Sequence, residues 1–294
     1  MTQNVGFIGL GNMGLPMAIN LVKAGFSVKG SDLSAEQVAK LTEAGGQGVG
    51  SAAEAVEGAE IIVTMLPAGR HVRAVYEEAI LGKAAAGTLL IDSSTIDVET
   101  ARALANEAEA VGLEMLDAPV SGGTVGAQGG TLTFMVGGKA DSLEKGRAVL
   151  EVMGKNIVLA GDAGAGQAVK ACNNMILAVS MIGVSEGLVM AEKLGVDLQR
   201  VYDICSTSTS SCWALNTYCP VPGMSEAAPS NRDFAPGFTA NMMLKDLKLA
   251  QDAAGSSATT TEIGKHALAL YQEFVDNGNG ELDFSGIIRM IRER

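Results

Sequence analysis

A glycine-rich turn near the start of the sequence limits the choice of fold more than any other segment. Residues 4–8 are mostly apolar and typical of a short buried strand, and Gly9, Gly11 and Gly14 lead from them into an apolar helical segment. A second strand-like stretch ends at Asp32, close to the ~20-residue offset at which dinucleotide-binding folds place the acid that binds ribose. Strand, glycine turn, helix, strand and acid therefore occur in the order of a dinucleotide site, and the sequence predicts one here.

The residue types in this turn suit a bound pyrophosphate. Gly9 permits a tight turn, Gly11 lets the phosphates approach bare backbone, and Gly14 lets the helix lie close to the strand, with the phosphates at the positive helix N-terminus. The Asp32 carboxylate accepts hydrogen bonds from ribose hydroxyls but repels a 2′-phosphate, and neither of the two residues after it is an arginine. The predicted cofactor is therefore NAD rather than NADP.

The composition is that of a globular protein and argues against several classes of partner. The 294 residues, 47% of them hydrophobic, are enough for two domains with real cores. A net charge of −12 argues against a nucleic acid or an anionic membrane as partner, because no basic run could neutralise phosphates. The first residues lack the basic and apolar regions of a signal peptide, which predicts a cytoplasmic location. With two histidines and no C-x-x-C pair among four cysteines, no metal site is predicted.

Strand-like and helical stretches alternate through the first half of the chain. The apolar β-prone runs and the helical stretches between them lie at residues 60–67, 70–81, 88–95, 98–110, 113–120, 131–138 and 156–159. This alternation predicts an α/β fold with an N-terminal Rossmann doubly wound sheet over residues 1–163. Residues 164–294 are predicted to form an all-α domain, entered through one long buried helix from Gln167 to about Leu194.

Two features of the second half bear on partners. The long helix is apolar on nearly all sides, but Lys170, Asn173, Asn174 and Glu186 interrupt it, so a membrane span is not predicted. Residues 210–236 are rich in proline and serine and too long for an ordinary connection. This makes them a candidate substrate loop or oligomer contact.

Hydroxyl and glycine residues follow predicted strands at the sheet edge where such folds bind ligands. Pro67 and residues 93–95 belong to this edge with Asp32, and the hydroxyl groups fit either a ligand contact or an N-cap of the next helix, with equal weight. The stretch of residues 121–123 is interpreted either as a plain turn or as a nest of backbone N–H groups for a small carboxylate. From this segment alone, the plain turn is favoured.

Three polar residues share one face of the long helix. Lys170, Asn173 and Asn174 lie at positions i, i+3 and i+4 near its N-terminal end. Burial would lower the pKa of a lysine from ~10.4 toward the range of a general base or acid. The alternative is a lysine that extends to the surface beside two asparagines that cap backbone groups, and the pattern alone leaves both open.

Four segments, in this order, closely resemble the signatures of the β-hydroxyacid dehydrogenase family. They are residues 9–14 (GLGNMG), residues 117–123 (DAPVSGG), residues 166–174 (GQAVKACNN) and residues 245–247 (KDL). Residues 213–223, 233–238 and 283–285 are most similar to the branch of the family that acts on 3-hydroxyisobutyrate. The resemblance spans nearly the whole chain and implies NAD-dependent oxidation of a small β-hydroxy acid, with no metal.

The resemblance also implies roles for individual residues. Lys170 would transfer the proton and Asn174 would orient the substrate, while Ser121, Gly122 and Gly123 would hold the substrate carboxylate, which reverses the preference for a plain turn. The implied cofactor contacts are Gly9, Leu10, Gly11, Asn12, Met13, Gly14, Asp32, Leu66, Pro67, Thr95, Phe238 and Lys245. Asp246 would support the site, and the chain would form a homodimer or homotetramer.

Two alternatives stay open at this point. A sibling reductase of tartronate semialdehyde, or a dehydrogenase of serine-like or threonine-like hydroxy acids, would share the same carboxylate and alcohol sites. A non-catalytic dinucleotide-binding sensor would keep the glycine turn but would have no reason to retain Lys170, Asn174 and the Ser121 loop together.

Overall fold

The computed structural model describes residues 3–294, and the chain divides into two compact units, one up to Lys170 and one from Ala171. Within the described residues, the first unit is built on one nine-stranded sheet. Its strands β1 to β9 are Asn4–Ile8, Ser27–Ser31, Gln47–Gly48, Ile61–Thr64, Leu89–Asp92, Glu114–Asp117, Val120–Ser121, Leu132–Gly137 and Gly154–Gly161. The first six are parallel in the order β3-β2-β1-β4-β5-β6, the strand order of dinucleotide-binding sheets.

Helices cover both faces of this sheet. Helices α1 to α7 are Gly14–Lys23, Ala35–Glu43, Ala52–Val56, Gly69–Val75, Val98–Ala110, Gly123–Gly129 and Ala140–Met153, and a π-helical turn, Tyr76–Ile80, extends α4. Side chains alternate along a strand, so Ile61 and Val63 enter one apolar core and Ile62 enters the other. The doubly wound α/β fold predicted for this half is confirmed.

The far end of the sheet is not all parallel. β8 pairs antiparallel with β6 and β7 and parallel with β9. Between β7 and β8 lies α6, a short helix that its glycine-rich sequence does not indicate. Tertiary contacts hold it, because Ala127 is fully buried and its carbonyl accepts a hydrogen bond of 2.8 Å from the Asn20 side chain of α1.

The second unit is helical, as predicted. Helix α8, Ala165–Lys193, is 29 residues long and leads into it. Helices α9 to α13 follow as Leu198–Cys205, Trp213–Asn216, Ala240–Ser256, Glu262–Phe274 and Ile287–Glu293, with short 3₁₀ turns at Pro229–Arg232 and Phe284–Gly286. The long segment 210–236 thus holds one helical turn and one 3₁₀ turn and is otherwise irregular. Apolar side chains of α8, α11, α12 and α13 share one core.

Helix α8 is long and apolar enough to cross a membrane when only length and composition are considered. The interruptions named above therefore do not exclude a span on that criterion. The core helix of a soluble protein meets the same criterion, and 44% of its most apolar window is buried within the protein.

Candidate functional site

The glycine turn after β1 is closed by contacts that leave no room for side chains. Gly9 has a φ of +96°, and a Cβ there would lie 2.3 Å from the carbonyl oxygen of Met65, which follows β4. A Cβ at Gly14 would lie 1.9 Å from the carbonyl oxygen of Gly9. Only glycine fits at these two positions, so α1 begins directly against the end of β1.

Asp32 ties this turn to the end of β2. Its Oδ2 accepts a hydrogen bond of 2.7 Å from the Leu10 N–H, and its Oδ1 accepts one of 2.8 Å from the Ser34 N–H. A Cβ at Gly11 would meet no atom within 4 Å, so the backbone there faces open space at the start of α1. The turn, the helix N-terminus and the half-buried carboxylate therefore fit a dinucleotide, with room for phosphates beside Gly11.

A buried polar network links the ends of β4 and β5. Asp92, fully buried, accepts hydrogen bonds at Oδ1 from the Thr64 hydroxyl at 2.8 Å and from the Ser94 N–H at 3.2 Å. The Ser94 hydroxyl oxygen in turn accepts a hydrogen bond of 2.8 Å from the Leu66 N–H. The hydroxyl cluster thus positions the backbone at Leu66, one of the predicted cofactor contacts. The N-cap of α5 is Asp97, whose Oδ1 accepts the Thr100 N–H at 2.7 Å.

Burial raises the pKa of Asp92 to about 6, although its hydrogen bonds with Ser94 and Thr64 oppose the change. A folded-state pKa above the usual 3.8 means that the folded protein binds this proton more tightly than the unfolded chain does. The contribution of Asp92 to stability is therefore fully present below pH ~3.8 and is lost as pH rises through about 6.

We expect Asp92→Asn to gain stability relative to the wild type as pH rises. The amide keeps an acceptor oxygen but never carries the buried charge, so the difference in unfolding free energy should grow by about 1.5 kcal/mol between pH 5 and pH 8. Urea unfolding at both pH values measures this, with Asp252→Asn as an exposed control. A difference that is independent of pH would show that Asp92 does not titrate in this range.

Gln167, in the first turn of α8, holds the segment that follows β5 through two side-chain hydrogen bonds. Its side chain is 1% exposed, its Nε2 donates to the Ser94 carbonyl at 2.7 Å, and its Oε1 accepts the Ile96 N–H at 3.1 Å. The amide therefore pairs with the backbone on both sides of Thr95. Gln167 was assigned no individual role from the sequence, although it lies in the segment 166–174 on which the family resemblance rests.

Asp117, at the end of β6, connects the sheet to the N-terminus of α8. Its Oδ1 accepts the Gly164 N–H at 2.7 Å and its Oδ2 accepts the Gln167 N–H at 2.9 Å. Three residues further along α8, Lys170 is 8% exposed, and its Nζ donates to the Val120 carbonyl at 2.7 Å. The lysine is therefore buried, and its nitrogen lies against the peptide that enters Ser121. The surface-extended alternative for Lys170 is not what the structure has.

Residues 121–123 lie where β7 gives way to α6. Val120 and Ser121 form the short strand β7, and α6 begins at Gly123. Gly122 and Gly123 have φ values of +132° and +61°, and both are exposed. The segment is thus a sharp change of direction with exposed backbone beside Lys170, compatible with both interpretations made from the sequence.

In the second unit, Asn174 is part of a polar group centred on Asp246. Asn174 is 2% exposed, its Nδ2 donates to Asp246 Oδ2 at 2.5 Å, and its Oδ1 accepts the Asn173 amide at 2.9 Å. The Lys245 ammonium lies 3.0 Å from Asp246 Oδ1. Asn174 lies one helical turn after Lys170 on α8, so the two side chains share a face of the helix, as predicted. Lys170, Asn173 and Asn174 each form a hydrogen bond within the protein.

The other predicted cofactor contacts are exposed or half-buried. Phe238, half-buried, contacts the Phe284 ring edge to face at 5.7 Å between centroids. Asn12 and Pro67 are exposed, and Met13 and Thr95 are half-buried. Within residues 3–294, no group of three or more His, Cys, Asp or Glu side chains is arranged to hold a metal ion.

Comparison with family models matches both halves of the chain. Residues 4–161 match the NAD binding domain of 6-phosphogluconate dehydrogenase. Residues 164–291 match a domain described as NAD-binding of NADP-dependent 3-hydroxyisobutyrate dehydrogenase. Together these matches cover almost the whole chain.

Full-length relatives are similar over the same range. The chain is 47% identical over 290 residues to the NAD-dependent L-serine dehydrogenase of Pseudomonas aeruginosa, covering 98% of this chain and 97% of that protein. It is 46% identical over 293 residues to 3-hydroxyisobutyrate dehydrogenase of the same organism, covering 98% of each. A solved structure of Mycobacterium tuberculosis 3-hydroxyisobutyrate dehydrogenase with L-serine matches 99% of this chain and 100% of that one, with a TM-score of 0.94 and 46% identity.

Proposed function

Because the chain belongs to the β-hydroxyacid dehydrogenase family and is an NAD-dependent oxidoreductase, we propose that it oxidises 3-hydroxyisobutyrate to methylmalonate semialdehyde, a reaction of valine catabolism. The observation that carries the proposal is the buried Lys170, whose Nζ lies 2.7 Å from the Val120 carbonyl at the entry to Ser121. A lysine nitrogen next to a loop with exposed backbone N–H groups can serve a small hydroxy acid, because the loop could bind its carboxylate and the nitrogen could contact its hydroxyl group.

The first unit supplies the proposed cofactor contacts. The turn from Gly9 to Gly14 would hold the pyrophosphate, with the N–H groups at the start of α1 directed at it. Asp32, which already orders Leu10, would accept the ribose hydroxyls and disfavour a 2′-phosphate. Leu66, Pro67 and Thr95 would line the path toward the nicotinamide. Phe238 and Lys245 are proposed as further cofactor contacts on the family resemblance alone. When bound, NAD supplies the acceptor for a hydride.

Lys170 has the proposed role of general base and acid. As a neutral amine its Nζ accepts the proton of the substrate hydroxyl as the hydride leaves the same carbon, and in the reverse direction it returns that proton to the carbonyl oxygen. The Val120 carbonyl is a neutral acceptor that takes one N–H bond of the group, so this contact fixes the nitrogen and does not neutralise its charge. Positioning of this kind lowers the entropy lost in reaching the transition state.

The remaining substrate contacts follow the same logic. Ser121, Gly122 and Gly123 would bind the substrate carboxylate through a hydroxyl and exposed N–H groups. Asn174 would orient the substrate, and its amide is itself held by Asp246 at 2.5 Å. A side chain fixed in this way loses little entropy when it binds.

L-serine is the second candidate substrate, and the sibling reaction on tartronate semialdehyde is a third. One 47% identical relative is an L-serine dehydrogenase, and the 46% identical solved structure was obtained with L-serine. Serine and 3-hydroxyisobutyrate both carry a primary alcohol two bonds from the carboxyl carbon. Sites for these two groups do not separate them, so residues 210–236 are proposed to make the choice.

The substrate is tested by NADH formation at 340 nm with purified protein, NAD and, in parallel, 3-hydroxyisobutyrate, L-serine, glycerate and threonine. We expect the highest kcat/KM with 3-hydroxyisobutyrate and a large loss when NADP replaces NAD. A preference for serine or glycerate would keep the proton transfer by Lys170 but assign the protein to another branch of the family. Cofactor binding without turnover of any of these acids would favour a sensor instead, and equal kcat/KM with both cofactors would contradict the role of Asp32.

We also propose a cytoplasmic homo-oligomer, a dimer or a tetramer. Large apolar side chains of α8 stand exposed in the single chain, with Ile176 at 63% and Met190 at 62%, and a second copy could cover them. Relatives include bacterial enzymes and a mitochondrial enzyme of mouse. Light scattering of the purified protein measures the mass of the particle, and a 30.1 kDa particle would contradict the proposal.

A further inference from the structure

Asp283 is a buried carboxylate that accepts hydrogen bonds from three separate parts of the second unit. It is fully buried, and its Oδ2 accepts the Tyr218 hydroxyl at 2.8 Å, the Gly237 N–H at 3.0 Å and the Phe238 N–H at 3.1 Å. Its Oδ1 accepts the N–H and the hydroxyl of Ser285 at 3.0 and 2.7 Å. All of these donors are neutral, so they satisfy the carboxylate by geometry and not by opposite charge.

The donors keep their protons. Burial and the Asp283 carboxylate raise the pKa of Tyr218, so its hydroxyl is protonated and donates at neutral pH. A buried anion that depends on aligned donors tolerates little displacement of any of them, because an unmatched oxygen in a low-dielectric interior is unfavourable. The carboxylate therefore fixes the relative positions of Tyr218, Phe238 and Ser285.

The backbone shortly before Phe238 has an unfavourable conformation at Asp233 and Phe234, and contacts with other residues stabilise it. Asp233 and Phe234 are consecutive non-glycine residues with φ values of +52° and +59°, in the left-handed region. Arg289 forms an ion pair with Asp233 and lies 4.7 Å from the Phe234 ring centroid. The N–H of Asp283 donates to the Phe234 carbonyl at 2.9 Å, so main chain and side chain of the same residue both restrain this segment.

Aromatic contacts run parallel to the hydrogen bonds. The Phe238 ring contacts Phe284 at 5.7 Å, Phe284 stacks on Tyr218 at 5.5 Å, and Tyr218 stacks on Trp213 at 4.6 Å. Trp213 is the one tryptophan of the sequence and is 49% exposed. The rings of Trp213, Tyr218, Phe284 and Phe238 thus form a continuous series that connects the segment 210–236 with Phe238. Asp283 accepts hydrogen bonds from the Tyr218 hydroxyl and from the Phe238 N–H within this series.

We propose that Asp283 is a positioning residue that holds Phe238, the expected nicotinamide contact, and the segment 210–236, the expected determinant of substrate choice, in one fixed arrangement. The inference rests on the proposed function for the roles of these two elements. It assigns Asp283 no contact with substrate or cofactor. Its loss should therefore affect turnover and substrate recognition more than the binding of NADH, for which the glycine turn and Asp32 supply the proposed pyrophosphate and ribose contacts.

The test compares Asp283→Asn and Tyr218→Phe with the wild type and with Asp252→Asn, an exposed control that removes the same charge. The amide in Asp283→Asn presents one acceptor oxygen in place of two, and Tyr218→Phe removes one donor and leaves the ring. For Asp283→Asn we expect kcat/KM for the preferred hydroxy acid to fall by about tenfold or more, with a higher KM, and the Kd of NADH to stay within about threefold. Tyr218→Phe should show a smaller loss in the same direction.

A second readout uses the protein without cofactor. Because Trp213 stacks on Tyr218, the emission spectrum of Trp213 should change in Asp283→Asn and stay as in the wild type in Asp252→Asn.

If Asp283→Asn does not fold, both measurements are made on Tyr218→Phe. Wild-type kcat/KM or wild-type Trp213 emission in a folded Asp283→Asn variant would overturn the inference, as would an activity loss that only matches a loss of folded protein. Absence of turnover in the wild type would instead contradict the proposed function, and the emission of Trp213 would still decide whether Asp283 orders the segment.

Discussion

Lys170→Ala is expected to lower kcat by about 10²–10⁴-fold while NADH still binds, because general acid–base catalysis contributes a factor of this size. The amine is buried, and its nitrogen lies 2.7 Å from the Val120 carbonyl oxygen. The predicted substrate loop, residues 121–123, contains no lysine that could replace it. The loss should appear equally in kcat and in kcat/KM if the amine acts mainly in the transition state. Steady-state rates and NADH fluorescence titration measure the two effects separately.

Two further variants make this result specific to the amine. Lys170→Met keeps the length and most of the volume of the side chain but has no titratable nitrogen, so it should be as inactive as Lys170→Ala and better folded. Lys193→Ala removes an exposed lysine from the last turn of the same helix and should leave the rate unchanged. Turnover near the wild-type rate in a folded Lys170 variant would remove this residue from the proton transfer.

The second large effect is expected at the glycine turn, where neighbouring positions should fail for different reasons. A Cβ at Gly11 meets nothing within 4 Å, so Gly11→Ala should fold normally and yet weaken NADH binding by about tenfold or more, equivalent to ~1.4 kcal/mol, because the methyl group occupies the space of the phosphates. A Cβ at Gly14 would lie 1.9 Å from the Gly9 carbonyl oxygen. Gly14→Ala should therefore destabilise the fold itself, by about 1–3 kcal/mol or more.

Gly255→Ala is the matched control for both. This glycine is exposed near the end of α11 and a Cβ there also meets nothing within 4 Å, so alanine should stabilise the helix by up to about 1 kcal/mol and leave cofactor binding unchanged. Thermal unfolding and NADH titration on the three variants give the complete comparison. Wild-type affinity for NADH in Gly11→Ala would place the phosphates elsewhere.

The first half of the fold could be predicted because its determinants are local. Runs such as residues 61–64 are buried on both faces, so their apolar sequence predicts a parallel strand without knowledge of its neighbours. The glycine turn is partly local, since Gly14 packs against Gly9 and Phe7 of the same strand and turn, whereas Gly9 also packs against Met65 at the end of the adjacent strand. The antiparallel β8 could not be predicted in this way, because its direction depends on how a glycine-rich connection folds back.

Roles for Lys170 and Asp32 could be proposed from the sequence because their residue types themselves carry the chemistry. The sequence did not reveal the contacts that hold other predicted residues in place, those of Gln167 beside Thr95 and of Asp283 beside Phe238. Gln167 bonds to backbone groups 71 and 73 positions earlier in the chain, and Asp283 bonds to a hydroxyl 65 positions earlier. Partners at such separations follow from topology, and neither hydrophobic periodicity nor turn chemistry in a single sequence contains that information.

In the proposed reaction a hydride passes from the hydroxyl-bearing carbon of a small hydroxy acid to NAD while Lys170 takes the hydroxyl proton. The most direct measurement is the mass of the reduced cofactor formed from 3-hydroxyisobutyrate that carries two deuterium atoms on its hydroxyl-bearing carbon. With wild-type protein and unlabelled NAD in ordinary water, we expect a reduced cofactor that contains one deuterium atom. In Lys170→Met the rate should fall about 10²–10⁴-fold with the label still transferred. Reduced cofactor without deuterium, or no reduction with any acid of the panel, would contradict it.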